Sequence, residues 1–167
     1  MKKIIPVALF IFLFLQSCSV RLASEPVLFN GGKIYNIKSV EDDTFEPGLK
    51  ENLQRTFRYE VSRHKDIIEA REVYSDVVLR MKINKINYSE RLVTSSSSPY
   101  LRTVKINVDF GLTDRIRTKN ENVYSLTGQS SIYSTFPFPD TGETETLVGG
   151  AMTDIVLQMM NYLIVYN

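Results

Sequence analysis

Hydrophobic and polar residues alternate most regularly in the middle of the chain, where two successive segments predict long β-strands. In the first segment, apolar residues occupy every second position from Val77 to Ile83, and the pattern then shifts by one residue to Ile86. Such a shift predicts a β-bulge near Asn84 and Lys85. The second segment alternates without a break, and its apolar members are Val104, Ile106, Val108, Phe110 and Leu112. One face of these strands should therefore be buried, while the other meets water or a partner.

Two other segments have the spacing of amphipathic helices. The first starts near Pro47, which suits the first turn of a helix because it has no N–H to satisfy, and it runs to about His64. Its apolar residues recur at a spacing of four and are Leu49, Leu53, Phe57 and Val61. The second helix follows Asp140, which is expected to form a capping box with Glu143. The core positions of this helix would be Leu147, Ala151, Ile155, Met159 and either Leu163 or Tyr162.

Weaker strand signals complete the pattern at Lys33–Val40, Asp66–Ala70 and Asn122–Tyr133. The order of elements is therefore β-α-β(β)-β-β-α. This order predicts an α+β fold, a two-layer sandwich in which two helices pack on one face of a four- to five-stranded mixed sheet. The first strand and the strand after the first helix should run parallel, joined by a right-handed crossover.

The N-terminus has the features of an export signal. Lys2 and Lys3 precede an unbroken apolar run from Ile4 to Leu15, which is shorter than the roughly 20 residues that a membrane-spanning helix needs. The run leads into Leu15-Gln16-Ser17-Cys18, which resembles the lipobox of bacterial lipoproteins. In that motif the cysteine is acylated, with palmitate for example, and becomes the new N-terminus.

Cys18 is the only cysteine, so it cannot form an intramolecular disulfide, and acylation would remove an exposed thiol. An ordinary signal peptide with a chance cysteine, or an uncleaved anchor, is the alternative. Ser19 favours the outer membrane, because aspartate at that position retains such lipoproteins at the inner membrane. We therefore expect a signal peptide (1–17), a lipidated N-terminus and tether (18–32) and one periplasmic domain (33–167).

Charge and motifs exclude some functions. The chain has 20 basic and 19 acidic residues, and loss of the signal peptide leaves 18 against 19, so no global field would attract nucleic acid. His64 is the only histidine and suits a helix end, while Asp42 and Asp43 lack the spacing of an EF-hand. No G-x-S-x-G, glycine-rich phosphate loop or H-E-x-x-H motif is present. We expect neither an enzyme nor a cofactor or metal, although a hydrolase with paired carboxylates stays open.

A local excess of positive charge is more informative. Between Arg80 and Lys105 the chain has one acidic residue, Glu90, and six basic residues: Arg80, Lys82, Lys85, Arg91, Arg102 and Lys105. Strand parity places Arg80, Lys82 and Lys105 on the polar side of a hairpin, with Arg91 and Arg102 near its tip. Such a cluster could bind phosphates or sugar acids. It could equally be the solvated face of a sheet, where lysine also discourages edge pairing.

Several segments together resemble the LptE family of lipopolysaccharide-assembly lipoproteins. The lipobox and first strand are followed by Asp43–Leu49, which contains the T-F-E-P-G-L helix start that recurs in that family. Ser75–Leu79 then matches its (A/S)-D-x-x-L strand start, and a strand pair and a C-terminal helix follow. The resemblance covers nearly the whole mature chain in the order of its elements. The serine-rich loop at Thr94–Pro99 and the Phe136–Pro139 segment have no counterpart in this pattern.

The resemblance implies a non-enzymatic role as the partner of an LptD-like outer-membrane β-barrel, in lipopolysaccharide transport and insertion into the outer leaflet. On this interpretation, Phe136 and Phe138 would contact the barrel wall. The residues that would face lipid A phosphates or core sugars are Arg80, Lys82, Arg91, Arg102 and Lys105. A different envelope-assembly or secretion-associated lipoprotein, binding a peptide or a polysaccharide channel, would show the same signal and fold.

Overall fold

The computed structural model describes residues 33–93, 100–116 and 120–165. The predicted signal peptide, Cys18 and the tether therefore lie outside the described residues, as does the serine-rich loop. The strands are β1 (Lys33–Asp42), β2 (Ile67–Glu69), β3 (Val77–Leu92), β4 (Tyr100–Asp114) and β5 (Glu121–Ser134). The helices are α1 (Leu49–Ser62) and α2 (Thr141–Val165), with a short 3-10 turn at Glu72–Tyr74. The predicted α+β fold is confirmed.

The five strands form one mixed sheet in the order β2-β1-β3-β4-β5. β1 lies parallel to β2, as predicted for the first strand and the strand after the first helix. β1 also lies parallel to β3, and β3, β4 and β5 form an antiparallel meander. The three-residue strand β2 ends the sheet on one side, while the 14-residue strand β5 ends it on the other. The sheet therefore has one short and one long edge.

The β-bulge that the alternation predicted is present in β3. The pairing of β3 with β4 shifts register between Ile83 and Lys85. Before the shift Ile83 pairs with Val108, and after it Ile86 pairs with Ile106. The extra residue thus returns apolar side chains to the same face of the sheet although their spacing along the chain changes.

The core lies between this face and the two helices. All four residues of the predicted stripe on α1 are buried, and the ring of Phe57 packs edge-on against Tyr35, with centroids 5.6 Å apart. On α2 the predicted core positions are buried, and the alternative at the last of them is resolved, because Leu163 is fully buried and Tyr162 is 38% exposed. Complete burial of a side chain of this size stabilises the fold by about 1.5–3 kcal/mol.

Both helix starts differ in detail from the sequence prediction. α1 begins at Leu49 rather than at Pro47, because Gly48 forms the cap in the left-handed region (φ 82°). At the start of α2, Asp140 accepts a hydrogen bond from the backbone N–H of Glu143 at 2.6 Å, which is one half of a capping box. The side chain of Glu143 accepts a hydrogen bond from Arg102 instead of completing the box.

α2 has the length and composition of a membrane-spanning helix, but in the structure it is the main cover of the sheet. Its close approach to β5 depends on Gly128. A Cβ atom at this position would collide with the backbone carbonyl of Ala151 and with the side chain of Ile155. Backbone atoms cannot move aside as the end of a flexible side chain can, so only glycine fits here.

We expect Gly128→Val to destabilise the protein by about 1–3 kcal/mol or more, since overpacking would push α2 away from β5. Gly149→Ala is the control, because a Cβ atom there meets nothing within 4 Å. It should stabilise the helix by up to about 1 kcal/mol. Urea unfolding followed by circular dichroism measures both changes. A Gly128→Val variant as stable as the parent protein would contradict the packing described.

Candidate functional site

The sheet face opposite α1 and α2, which we call the open face, is covered by neither helix and carries mainly polar side chains. Residues paired across β3, β4 and β5 form rows on this face. We call the part of this face nearest the β3–β4 hairpin tip the distal face. It consists of four rows, each with one residue from β3, one from β4 and one from β5: Arg91, Leu101 and Tyr133; Ser89, Thr103 and Ser131; Asn87, Lys105 and Gln129; and Lys85, Asn107 and Thr127.

The distal face contains three cations and no carboxylate. Lys85, Arg91 and Lys105 are exposed and form no ion pair with any residue that the structure describes. Lys105 lies on β4 between the other two, which are on β3. The remaining side chains are mostly hydroxyls and amides, and the ring of Tyr133 is 58% exposed. This surface can attract anions and offer hydrogen bonds at the same time.

Hydroxyl and amide groups of the distal face are already ordered by cross-strand contacts. The hydroxyls of Thr103 and Ser131 lie 2.8 Å apart, and the Thr127 hydroxyl donates to the Asn107 side chain at 3.2 Å. Each of these groups keeps further capacity to donate or accept a hydrogen bond. A ligand would therefore meet a polar surface that needs little rearrangement.

The other half of the open face is electrically balanced. Arg80 forms an ion pair with Glu121 at 3.2 Å, and Lys82 forms one with Asp43 at 2.8 Å. The hydrogen bond from Lys82 to Asp43, together with the charge of that carboxylate, raises the pKa of Lys82. Two of the predicted ligand-binding residues, Arg80 and Lys82, are therefore engaged by acidic neighbours.

Asp109 also belongs to this balanced half. It accepts a hydrogen bond from the Ser125 hydroxyl at 2.7 Å. Hydrogen bonds from the side chains of Asn84 and Ser125 lower the pKa of Asp109. The Asp109 carboxylate is thus stabilised in its charged form beside Lys82. The distal face is therefore the part of the open face that carries a net positive charge.

The prediction that Arg102 belongs to the exposed basic cluster is wrong about its orientation. Arg102 lies near the hairpin tip as expected, but it shares a face of β4 with Val104 and is only 4% exposed. Its guanidinium donates to Glu90 at 2.9 Å, to Glu143 and to the carbonyl oxygen of Phe136 at 2.6 Å. Arg102 therefore joins the hairpin tip to the start of α2.

The surroundings of Arg102 keep it charged. Burial opposes the cation, but the hydrogen bonds and negative charges of Glu90 and Glu143 raise the pKa of Arg102. The alternation on β4 contained the signal for this placement, because residue 102 is in phase with Val104 and Ile106. Lys85 is one of the six basic residues of the segment but not one of the five predicted ligand-binding residues, and the register after the bulge places it opposite Asn107 on the distal face.

Phe136 and Phe138 project from the segment between β5 and α2. They are 67% and 81% exposed, respectively. The backbone of this segment is held in place, because the N–H of Phe136 donates to the Ser134 hydroxyl at 3.2 Å and its carbonyl accepts from Arg102. Two apolar rings are therefore presented to the surroundings on an anchored loop.

A groove of about 790 Å³ separates the start of α1 from the first turns of α2, with Tyr88 of β3 in its wall. Three carboxylates, those of Glu46, Glu51 and Glu145, line it together with a single cation, Arg55. Partial burial, and then the negative charge of Glu46, raise the pKa of Tyr88. The groove is therefore acidic, opposite in charge to the distal face.

The T-F-E-P-G-L segment lies at the mouth of this groove. Part of the motif has a clear folding role: Thr44 forms a turn with the Asp42 carboxylate at 2.8 Å, Gly48 caps α1 and Leu49 is buried. Phe45, in contrast, is fully exposed. Folding of the described residues does not explain an aromatic ring at that position.

No group of three or more histidine, cysteine, aspartate or glutamate side chains that could hold a metal ion is found within residues 33–93, 100–116 and 120–165. His64 follows the end of α1 and is exposed, where its backbone N–H donates to Val61 at 2.8 Å. Among the described residues, three surfaces have the clearest capacity for binding: the distal face, the Phe136–Phe138 loop and the acidic groove.

The chain matches no protein-family model and no curated protein. Solved structures do share its fold. A hypothetical protein from Chlamydia trachomatis, CT253, aligns over 81% of this chain and 99% of its own, with a TM-score of 0.57 and 8% identity. A minor lipoprotein from Acinetobacter baumannii aligns over 78% and 91%, respectively, with a TM-score of 0.51 and 13% identity.

A third similar structure is a neuraminyllactose-binding hemagglutinin homolog from Helicobacter pylori. It aligns over 85% of this chain and 88% of its own, with a TM-score of 0.55 and 10% identity. At these identities the likeness concerns the fold alone. The fold of this protein is therefore one that occurs in bacterial lipoproteins.

Proposed function

We propose that this protein is an outer-membrane lipoprotein that resembles LptE, anchored on the periplasmic side by acylated Cys18. Its role is to partner an LptD-like β-barrel in lipopolysaccharide transport and insertion into the outer leaflet. The observation that carries the proposal is the distal face, where three cations without acidic partners among the described residues stand among hydroxyl and amide groups. The order of elements and the T-F-E-P-G-L segment connect this surface to the LptE resemblance.

A phosphorylated saccharide matches the chemistry of the distal face. Lysine and arginine bind phosphate through charge-assisted hydrogen bonds, which are about twice as strong as neutral ones. Hydroxyl and amide side chains can exchange hydrogen bonds with sugar hydroxyls. Lys85 and Arg91 are six residues apart on one strand, which corresponds to about 20 Å. The distal face is therefore long enough to contact several sugar units of one ligand.

The structure revises which residues we assign to this ligand. Arg91 and Lys105 remain from the five that the sequence suggested, and Lys85 joins them. Arg80 and Lys82 are less available because each forms an ion pair with a carboxylate, and Arg102 is buried on the other face of the sheet. We therefore assign phosphate binding to Lys85, Arg91 and Lys105.

The position of the first described residue, Lys33, supports this use of the distal face. The tether would join the domain at Lys33, whose ammonium group donates to the carbonyl of Leu163 in the last turn of α2 at 2.7 Å. β1 pairs with the beginning of β3, whereas the distal face lies at its end. β3 has 16 residues and is about 50 Å long. Lys33, where the tether would join, and the distal face are thus at opposite ends of the domain.

We assign the contact with the barrel to Phe136 and Phe138. Both rings lie on an anchored loop that Arg102 ties to the hairpin tip, so they belong to the same end of the domain as the distal face. Aromatic side chains with large exposed areas are enriched at protein interfaces. Docking of this loop against a barrel wall would bring the distal face to the partner.

The acidic groove favours a second candidate function. A lipoprotein of another assembly or secretion system could bind a basic peptide there, with the exposed Phe45, which directly precedes Glu46 of the groove, as an additional apolar contact. This function needs no phosphate-binding surface and no LptD-like barrel. The identity of the copurifying partner and the effect of Phe45 substitution therefore discriminate between the two candidates.

Removing the three cations tests the ligand. Lys85→Ala/Arg91→Ala/Lys105→Ala should weaken binding of purified lipopolysaccharide by at least about tenfold, because each charge-assisted hydrogen bond contributes about 1.5–3 kcal/mol. Isothermal titration calorimetry in detergent measures the change. Lys50→Ala/Lys65→Ala/Arg71→Ala removes the same charge elsewhere and should leave binding within about twofold. Equal loss in both variants would indicate only a net-charge effect and would contradict the assignment.

Replacing the exposed rings tests the partner. An LptD-like barrel should copurify in a 1:1 ratio with the tagged protein from outer membranes, and Phe136→Ser/Phe138→Ser should reduce its yield severalfold. Phe45→Ser removes an even more exposed ring, next to Glu46 of the acidic groove, and should not change the yield. Quantitative mass spectrometry of the eluates provides the comparison. Copurification of a different partner, whose yield falls with Phe45→Ser and not with Phe136→Ser/Phe138→Ser, would favour the second candidate.

Cys18→Ala tests the anchor. Without the thiol no acyl chain can be attached, and each buried CH₂ that is lost contributes about 0.8 kcal/mol to membrane binding. We expect the variant to leave the outer-membrane fraction and to lose incorporation of labelled palmitate. Ser17→Ala is the control and should retain both. Unchanged labelling of Cys18→Ala would show that the anchor lies elsewhere.

A further inference from the structure

β5 forms the long edge of the sheet, yet its sequence has none of the usual protection against strand addition. Edge strands commonly carry lysine, proline or an inward-pointing charge that prevents pairing with another chain. After Glu121, the residues of β5 up to Ser134 include no charged residue and no proline. An unprotected neutral edge of 14 residues is a template for β-pairing.

Two side chains of α2 occupy the middle of this edge. The backbone N–H of Gln129 donates to a carboxylate oxygen of Asp154 at 3.1 Å. The side-chain amide of Gln158 donates to the backbone carbonyl of Thr127 at 3.0 Å and also to Asp154 at 3.3 Å. These contacts use the backbone groups that point away from β4 and would otherwise pair with an added strand.

The reach of α2 over the edge follows from the packing at Gly128. Because glycine lets the helix lie directly on β5, the next turn of α2 is brought to the edge of the sheet. Asp154 and Gln158 are four residues apart and so lie on the same side of the helix. The side chains can therefore act together at Thr127 and Gln129, the residues on either side of Gly128.

We propose that Asp154 and Gln158 form an edge guard that prevents β5 from pairing with β5 of a second copy of this chain. Two copies of one strand can pair antiparallel about a twofold axis, and such an interface is self-complementary. The absence of charge beyond Glu121 means that no repulsion opposes this pairing. The guard divides the outward-facing backbone of β5 into two short stretches, around Val123–Ser125 and around Ser131–Tyr133. Neither stretch alone offers more than a few hydrogen bonds.

This guard is independent of the proposed function, since it concerns the edge of the sheet and not its open face. It would allow a domain with a long neutral edge to remain a single copy. Opening the guard would expose backbone groups along the whole strand and convert the edge into an interface between two copies.

The test is the oligomeric state of the full-length protein in detergent, measured by analytical ultracentrifugation over a hundredfold range of concentration. The parent protein should be monomeric. Asp154→Ala/Gln158→Ala should form a dimer whose fraction rises with concentration. Glu145→Ala/Asn161→Ala removes the same types of group from exposed positions of α2 and should stay monomeric. A folded guard variant that remains monomeric at every concentration would overturn the proposal, and so would a parent protein that already dimerises through β5.

A further substitution shows whether a dimer uses the edge. Ser131→Pro, added to the guard variant, removes an outward N–H at a position where an edge strand tolerates proline, and it should restore the monomer. Persistence of the dimer with Ser131→Pro would place the contact elsewhere and refute the proposal. Should the double variant fail to fold, Gln158→Ala alone frees the carbonyl of Thr127 and should raise the dimer fraction above that of the parent protein. A folded Gln158→Ala variant without this increase would also count against the guard.

Discussion

The burial of only one sheet face beneath two helices constrains almost every other feature of this structure. Each strand must send apolar side chains towards α1 and α2 and polar side chains the other way. A helix as apolar as α2 can exist in this domain because it has a sheet to cover. The same asymmetry leaves a broad polar surface on the opposite side. The candidate binding surface and the hydrophobic core therefore both follow from the alternation of apolar and polar residues along the strands.

Two positions show how strictly this arrangement is maintained. The bulge in β3 restores the apolar phase within one residue, which keeps Ile86 on the core side after the register shifts. Arg102 breaks the pattern by placing a cation on the core side of β4, but three acceptors from separate segments satisfy it. The charge is therefore tolerated because β3, the loop before α2 and the first turn of α2 each supply an acceptor.

Local alternation predicted most of the architecture because strand phase and helix periodicity are properties of neighbouring residues. The bulge, the stripe on α1 and the core positions of α2 could all be obtained in this way. The partners of Arg102 could not, since Glu143 is 41 residues away and only the folded chain brings it near. The position of β5 at the edge depends on strand order, and no local pattern distinguishes an edge strand that a helix protects from a central one. The cap at Gly48 was missed because Pro47 is itself suited to start a helix.

The contact between Lys33 and the last turn of α2 brings the beginning and the end of the domain together. A domain whose ends meet tolerates reconnection, so the chain could be joined across this contact and opened at a surface turn without crossing the core. It also means that a reporter fused after α2 would lie near Lys33 and away from the end of β3 that carries the distal face. The contact between Lys33 and Leu163 thus indicates that a label at the end of α2 should leave the proposed binding surfaces free.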